Sequence, residues 1–263
     1  MSVLETIIRF FRKDKSEQAL KINAGKDAAK IEKSPIQTSL SDKVSLITAA
    51  HDGQLDEVRR LIAEGVDINA VDEHGNTALM YAAKKGFSLT IEALVKAGAD
   101  VNFQKSEVGI TALSFAAMKG FERSIEKLVN AGADIEVQDY KGNTPLILAA
   151  IYGNTRSVAF LISKGCRINA QTKGGYTALM LAAKHGFYDT VKLLINAGAD
   201  TTMKDKLGKT ALIHASEHNY STCEELLKSC AQKASSASSR RRVSRHSSGK
   251  ISKRNSGMQY QKS

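Results

Sequence analysis

The chain has 263 residues, of which 42% are hydrophobic and 25% are charged, a balance that is ordinary for a globular protein. It contains no tryptophan, two prolines and three cysteines, which argues against a turn-rich β-sandwich and against a disulfide framework. The net charge of +11 is concentrated at one end, because residues 233–263 contain nine Lys and Arg and no acidic residue.

The first predicted element is an amphipathic helix in the first 15 residues of an N-terminal segment and linker, 1–41. Apolar side chains fall on one face and basic side chains toward the other: Val3, Leu4, Ile7, Ile8 and Phe11 against Arg9, Arg12 and Lys13. We expect this helix to dock on the apolar end of the folded part, with an anionic membrane surface or a partner helix as alternatives. Glu5 and Arg9 interrupt the apolar stretch, so no secretory signal is predicted.

A five-residue motif recurs along the middle of the chain. Its first copy is Gly75-Asn76-Thr77-Ala78-Leu79, and later copies place their threonines at 111, 144, 177 and 210. Successive threonines are 34, 33, 33 and 33 residues apart. A second marker, Gly-Ala-Asp at 98–100, 132–134 and 198–200, keeps the same step. Two markers that share one period predict a repeat protein.

Each repeat is predicted to contain two short helices. Threonine begins the first helix as an N-cap, as at Thr77, and a glycine such as Gly86 ends it. The second helix has apolar residues at i, i+3 and i+4, as at Ile91, Leu94 and Val95. Because one unit is too small to bury its own apolar face, the units must stack to form a core.

These residues resemble the ankyrin repeat family, whose signature Thr-Pro-Leu-His-x-Ala-Ala is matched closely between residues 72 and 216. The resemblance implies an all-α ankyrin-repeat solenoid of helix–turn–helix units, with hairpin-like fingers projecting on one side. Six repeats are predicted within 42–232: roughly 42–71, 72–104, 105–138, 139–171, 172–204 and 205–232. The first and last are atypical, as expected for terminal units that face water, and Asn219 replaces a repeated glycine.

Three departures from the family pattern stand out. Only Thr144-Pro145 keeps the family's proline. The family's histidine is replaced throughout, so the usual hydroxyl-to-imidazole bond is unavailable; the replacements are Met80, Ser114, Ile147, Met180 and Ile213. Repeat three has one extra residue between Gln104 and Gly109, which predicts one bulged fingertip.

The resemblance also implies where a partner binds, because ankyrin repeats usually contact partners with their fingertips and with the exposed part of each first helix. The matching positions contain nine lysines and three acidic residues, and their apolar members cluster in the middle repeats. Aromatic residues and methionine at such positions are typical of a binding hot spot. The predicted protein-binding residues are Lys84, Lys85, Met118, Lys119, Tyr140, Lys141, Ile151, Tyr152, Lys173, Tyr176, Lys184, His185 and Lys206. The alternative is that the lysines only solvate a helix surface while the tyrosine stems pack on their neighbours.

No motif for catalysis, cofactor binding or metal binding occurs in the sequence. A phosphate-binding loop, a paired-histidine zinc motif and a nucleophile elbow are all missing. His214 and His218 could share a helical face, but no third ligand is evident nearby. The cysteines are expected to be free thiols, and no apolar run approaches the ~20 residues needed to cross a bilayer. We therefore predict a protein that is not an enzyme and that has no cofactor, metal or transmembrane segment.

The tail, residues 233–263, contains ten serines and nine basic residues, a composition that predicts disorder. Ser244, Ser248 and Ser256 follow basic residues and resemble substrate sites of basophilic kinases, so they are phosphorylation candidates. Nuclear import, contact with nucleic acid or acidic lipid, and a translocation signal of a bacterial effector stay open for this tail, as does a role in solubility alone. Sequence-specific nucleic-acid binding by the tail is not predicted, because residues 233–259 contain no phenylalanine, tyrosine or tryptophan side chain on which a base could stack.

The sequence therefore predicts a non-catalytic adaptor or scaffold that binds a protein partner with an acidic-apolar face. We expect a monomer in the cytoplasm, with the nucleus as an alternative location. A different class of function also remains open, in which the two basic ends attach the protein to acidic membrane or nucleic acid. Binding through the groove should tolerate salt and loss of residues 233–263, whereas binding through the ends should tolerate neither.

Overall fold

The computed structural model describes residues 40–232. Within this range the secondary structure is helical, apart from an isolated β-bridge between Val71 and Thr77. The predicted amphipathic N-terminal helix and the basic tail, with Ser244, Ser248 and Ser256, lie outside the described residues. The all-α repeat fold is confirmed.

Twelve helices in the described range form six consecutive pairs. The pairs are α1 Leu40–Asp52 with α2 Leu55–Ala63, α3 Ala78–Lys85 with α4 Ser88–Lys96, α5 Ala112–Lys119 with α6 Glu122–Asn130, α7 Pro145–Ile151 with α8 Thr155–Ser163, α9 Ala178–Lys184 with α10 Tyr188–Asn196, and α11 Ala211–Glu217 with α12, described over 221–232. First helices pack on neighbouring first helices, and α2, α4, α6, α8 and α10 pack on one another in the same way. The repeats therefore stack in two layers, and α1 begins two residues before the predicted boundary at 42.

Threonine caps the first helix of repeats two to six, as the motif predicts. In each case the side-chain Oγ1 accepts a hydrogen bond from the backbone N–H three residues later; the caps are Thr77, Thr111, Thr144, Thr177 and Thr210. Gly86, with φ +82°, ends α3 in the left-handed conformation, as expected for a C-terminal glycine. Asn219, with φ +59°, takes that conformation in the last repeat.

The core is a continuous stripe of leucine and alanine between the two helix layers. Leu79, Leu113, Leu146 and Leu179 are at most 1% exposed, and the paired alanines of α3, α5, α7 and α9 are fully buried. In α11 the equivalent Leu212 is partly exposed, because the described stack ends with this repeat. The apolar side chains of each repeat are therefore buried by the neighbouring repeats, as expected for stacked units.

A row of side chains locks each repeat onto the preceding one at the turn between its two helices. The residue before each second helix lies against a glycine of the repeat before; these residues are Phe87, Phe121, Asn154, Phe187 and Tyr220. The contact is close, since a Cβ atom added to Gly86 would lie 2.8 Å from the Phe121 ring. At Asn154 the ring is replaced by an amide, whose Nδ2 donates hydrogen bonds of 2.9 and 3.0 Å to the carbonyl oxygens of Ala117 and Met118.

The fingers are short hairpin-like turns, and the extra residue of repeat three is taken up at a fingertip. Gly109 N–H bonds to the carbonyl oxygen of Lys105, four residues back, whereas Gly142 N–H bonds to Asp139, three residues back. The fingertips are also joined to one another, since Tyr140 N–H donates to the carbonyl oxygen of Val108 at 3.0 Å. The predicted bulge is therefore confirmed, and it leaves the row of fingers connected.

The residues that replace the family's histidine make different contacts in this chain. Met80, Ile147 and Met180 are at most 1% exposed, and the Ser114 hydroxyl lies 3.1 Å from the Thr111 hydroxyl. Ile213, in the last repeat, is 39% exposed. The predicted loss of the hydroxyl-to-imidazole bond is confirmed, and apolar packing takes its place in repeats two, four and five.

Candidate functional site

A cleft of about 610 Å³ lies between the fingers and the first helices of repeats three to five. Six of the thirteen predicted protein-binding residues line it: Met118, Tyr140, Lys141, Ile151, Tyr152 and Tyr176. Met118 and Ile151 occupy the same position at the end of the first helix in successive repeats, 33 residues apart, and Tyr152 follows Ile151. Tyr140, Lys141 and Tyr176 lie on the fingers of repeats four and five. The cleft volume is within the range of small-ligand sites, ~300–1,000 Å³.

The remaining predicted residues lie around this cleft rather than in it. Lys84, Lys85, Lys119 and Lys184 occupy the last turns of α3, α5 and α9, and His185 caps α9. Lys173 and Lys206 lie in the finger turns of repeats five and six. Burial, with Lys184 and His218 nearby, lowers the pKa of His185, so this side chain is neutral at pH 7. The positive charge around the cleft therefore comes from lysine.

The three tyrosines of the cleft differ in their availability. Tyr140 and Tyr152 are 54% and 53% exposed, so about half of each large aromatic side chain is in contact with water. Tyr176 is partly buried, with its ring centroid 5.5 Å from that of His214 and Lys184 Nζ 5.6 Å from its ring. Packing on neighbours, the alternative interpretation of these residues, describes Tyr176 and also the side of Tyr140 that lies against Gly109, whereas the other half of Tyr140 and half of Tyr152 are accessible.

Most lysines around the cleft are not neutralised by an acidic side chain. Within residues 40–232, no ion pair involves any of the seven predicted binding lysines. Lys84 and Lys184 contact aromatic rings, and the other five are Lys85, Lys119, Lys141, Lys173 and Lys206. The second helices differ, since Glu92 on α4 pairs with Lys96 at 2.8 Å and with Lys127 at 2.6 Å. Those bonds lower the pKa of Glu92 to about 2. The predicted binding face therefore carries lysines without ion pairs, while on the second helices Glu92 neutralises two lysines.

Sequence reasoning missed part of the lining and one buried hydrogen bond between histidine and aspartate. Leu148 and Leu181 line the cleft, but neither was among the predicted binding residues. In the last repeat His214 Nε2 lies 2.8 Å from Asp205 Oδ2, with both side chains buried. Burial works to raise the pKa of Asp205, but hydrogen bonds from Lys209 N–H, His214 and Leu207 N–H outweigh it, and the pKa is lowered.

This pair has a counterpart that explains its role. In repeat two, Tyr81 occupies the position of His214 and donates a 2.7 Å hydrogen bond to Asp72, which occupies the position of Asp205. Both pairs tie a finger to the first helix of its own repeat. His218 Nδ1 instead contacts the backbone oxygen of His214 at 2.9 Å. Across residues 40–232, no cluster of histidine, cysteine and acidic side chains is placed to hold a metal ion.

Comparison with known proteins agrees with this architecture. A family model described as ankyrin repeats (3 copies) matches residues 17–105, 90–172 and 168–237. The chain belongs to the ankyrin repeat family. The crystal structure of an ankyrin repeat domain from Acinetobacter baumannii AYE is 31% identical, with a TM-score of 0.64, and the match covers 71% of this chain and 97% of that domain.

Curated relatives share a shorter region with this ankyrin repeat protein. The putative ankyrin repeat protein YahD of Escherichia coli K12 is 41% identical over 58 residues, and the mitochondrial disaggregase of Homo sapiens is 43% identical over 58 residues. The palmitoyltransferase akr1 of Schizosaccharomyces pombe is 48% identical over 59 residues. Each match covers 22% of this chain and only 29%, 8% and 9% of the respective relative. The activities in those names therefore belong to proteins of which the matched segment is a small part.

Ankyrin repeats are generally protein–protein interaction modules, and the fold is typically non-enzymatic. In the described ankyrin repeats no helix combines the length and apolar character that a membrane span requires. The thiols are free, with Cys166 and Cys223 buried and Cys230 partly exposed. Burial, assisted by Glu136, raises the pKa of Cys166 to about 11, so this thiol is protonated at neutral pH.

Proposed function

We propose that this ankyrin repeat protein is a non-catalytic adaptor that binds a protein partner through the cleft of repeats three to five. One observation carries the proposal: Tyr140 and Tyr152, each about half exposed, line a cleft together with Met118 and Ile151. Large aromatic side chains in a partly enclosed apolar setting are the residues that contribute most to binding energy at protein interfaces. A cytoplasmic location, a monomeric state and phosphorylation of the tail stay predictions.

The charge around the cleft favours a partner with an acidic-apolar face. Tyr140, Tyr152, Met118 and Ile151 supply apolar surface. Lys141 lines the cleft together with Glu107 and Asp139, and further lysines without ion pairs lie on the neighbouring fingers and at the ends of the first helices. Charged groups at the rim of an interface mainly raise the association rate and select among partners, while the buried centre supplies affinity. The proposed partner therefore places apolar side chains in the cleft and acidic side chains at its edge.

The experiment is affinity capture with the full-length chain, comparing the native protein with the double variant Tyr140→Ala/Tyr152→Ala. Tyr188→Ala is the matched control, because Tyr188 is 39% exposed but begins α10 in the other helix layer. Circular dichroism establishes that each variant is folded. We expect the double variant to lose partners that the control retains. Equal retention of the same partners by both variants contradicts the proposal.

The salt dependence of binding distinguishes affinity that comes from the cleft from affinity that comes from the basic ends. Partners held through an apolar cleft should stay bound at ionic strength that screens exposed charges, where the Debye length is only ~3 Å at 1 M. Release of every partner by salt, with the same salt dependence for native protein and double variant, would favour attachment through the basic ends instead.

A further inference from the structure

The charged residues around the cleft follow an oblique pattern across the repeats. At the fingertips, repeats two and three carry Glu73 and Glu107, the latter in the cleft lining, whereas repeats four, five and six carry lysines: Lys141, Lys173 and Lys206. Lys105, in the same finger as Glu107, donates a 3.4 Å hydrogen bond from Nζ to Asn76 Oδ1. At the ends of the first helices the order is reversed, since α3 and α5 end in Lys84, Lys85 and Lys119. In the last repeat this helix end carries Glu217, which is paired with Lys209 at 2.7 Å.

The apolar residues occupy the middle of this pattern. Met118 and Ile151 lie at the ends of α5 and α7, and Tyr140 and Tyr152 complete the half-exposed apolar surface. Lys184 lies in the same area, but its ammonium group is 5.6 Å from the Tyr176 ring and is therefore engaged by that ring. The unpaired lysines thus form two groups, one on each side of the apolar centre.

We infer that the partner supplies an extended peptide segment with one apolar or aromatic anchor between two acidic residues. The anchor occupies the cleft, one acidic side chain meets Lys85 and Lys119, and the other meets Lys173 and Lys206. This inference rests on the proposed function and adds the chemistry and direction of the segment. Glu73 and Glu107 exclude the opposite diagonal, because a peptide along it would bring an acidic residue against like charge.

The size of the cleft and the distance between the lysine groups set the conformation of the segment. A volume of about 610 Å³ accepts one or two side chains, but an α-helix ~10 Å wide would fill it within about one and a half turns. The centres of the two lysine groups lie three steps of ~10 Å apart along the stack, from between repeats two and three to between repeats five and six, and the first helices add ~12 Å across it. The diagonal is therefore ~32 Å, which an extended chain crosses in about ten residues.

The segment can be identified by selection from a random twelve-residue peptide display library on the immobilised full-length chain. We expect the enriched peptides to share an apolar or aromatic residue with acidic residues on both sides, about ten positions apart. An enriched peptide, made with a fluorescent label, then gives dissociation constants by anisotropy. Competition by unlabelled peptide and loss of binding in Tyr140→Ala/Tyr152→Ala assign it to the cleft.

Charge reversal tests the two lysine groups separately. Lys85→Glu/Lys119→Glu and Lys173→Glu/Lys206→Glu should each weaken binding about tenfold. The matched control is Lys164→Glu/Lys192→Glu, which changes the net charge equally on exposed positions of the second-helix side and should leave the dissociation constant unchanged. A peptide whose acidic residue at one end is replaced by lysine should recover binding to one reversed variant and not to the other.

The outcomes distinguish this inference from the proposed function. Peptides that need Tyr140 and Tyr152 but carry no acidic residues, or that bind both reversed variants as tightly as the control, overturn the inference and leave the adaptor function in place. A library that yields no peptide dependent on the cleft also overturns it. The adaptor function fails separately, if captured proteins are indifferent to the two tyrosines.

Discussion

Two glycines with the same backbone conformation give a direct measure of how repeats hold one another. Gly86 and Gly165 both have φ +82° and both follow the end of a helix. A Cβ atom at Gly86 would lie 2.8 Å from the ring of Phe121, whereas a Cβ atom at Gly165 would meet nothing within 4 Å. The variants Gly86→Ala and Gly165→Ala therefore share backbone strain and differ in the steric contact between repeats.

The magnitudes follow from these two terms. A left-handed conformation costs an alanine ~1–2 kcal/mol, and this applies to both variants. Forcing a methyl group into a packed contact costs a further ~1–3 kcal/mol, and this applies to Gly86→Ala alone. For a folded unit of this size, 1 kcal/mol corresponds to about 2–4 °C in Tm, so the melting temperatures of the two variants should differ by about 2–12 °C.

Urea unfolding of the full-length chain, followed by far-ultraviolet circular dichroism, measures the free energy of unfolding. The slope of the transition should be compared as well, because a changed slope would indicate that repeats no longer unfold together. Adding Phe121→Ala to each variant completes the test, since removal of the ring should abolish the extra cost at Gly86 and should not affect the cost at Gly165. Equal losses of stability in the two single variants would refute the reasoning.

Three further predictions concern single side chains. Thr144→Ala should lower the free energy of unfolding by ~1 kcal/mol, and Thr144→Ser should restore most of it, because the cap to Ile147 N–H needs only a hydroxyl oxygen. Iodoacetamide should label Cys230 in the native protein and reach Cys166 and Cys223 only on unfolding, as mass spectrometry would show; early labelling of either buried thiol would contradict this. The pKa of Asp205 lies below its ordinary value of 3.8, so its ionised carboxylate contributes full stability above about pH 4 and loses that contribution as the pH falls further. The free energy of unfolding, measured from pH 7 to pH 2, should therefore depend less on pH in Asp205→Asn than in the native protein. A pH profile identical to that of the native protein would contradict a role for the Asp205 carboxylate.

The sequence was sufficient for the fold because its determinants are local and repeat with one period. A capping threonine such as Thr77 and a left-handed glycine such as Gly86 set the ends of a helix through bonds within one repeat. The extra residue of repeat three could be placed for the same reason, since a turn between Lys105 and Gly109 closes on itself. Such features need no knowledge of distant contacts.

The candidate site was predicted only in part, because its lining depends on contacts between repeats. Tyr140 and Tyr176 are both finger tyrosines in the sequence, yet Tyr176 lies near His214 of the next repeat, whereas Tyr140 lies against Gly109 of the preceding repeat and is half exposed. His214 was considered in the sequence only as a possible metal ligand, and its contact with Asp205 becomes visible only when finger and helix are placed together. Leu181 was not among the predicted binding residues, because its place in the cleft lining depends on the same three-dimensional information.

The amide of Asn154 has a consequence for how firmly the cleft is shaped before a partner arrives. A flat ring against glycine permits small sliding movements between repeats, whereas two directed hydrogen bonds fix one position. One of those bonds ends on the backbone of Met118, whose side chain lines the cleft. Asn154 also lies two residues after Tyr152, which lines the same cleft from the next repeat. The unbound protein thus holds the two halves of the apolar centre in register, and association loses less conformational entropy than it would with a mobile junction.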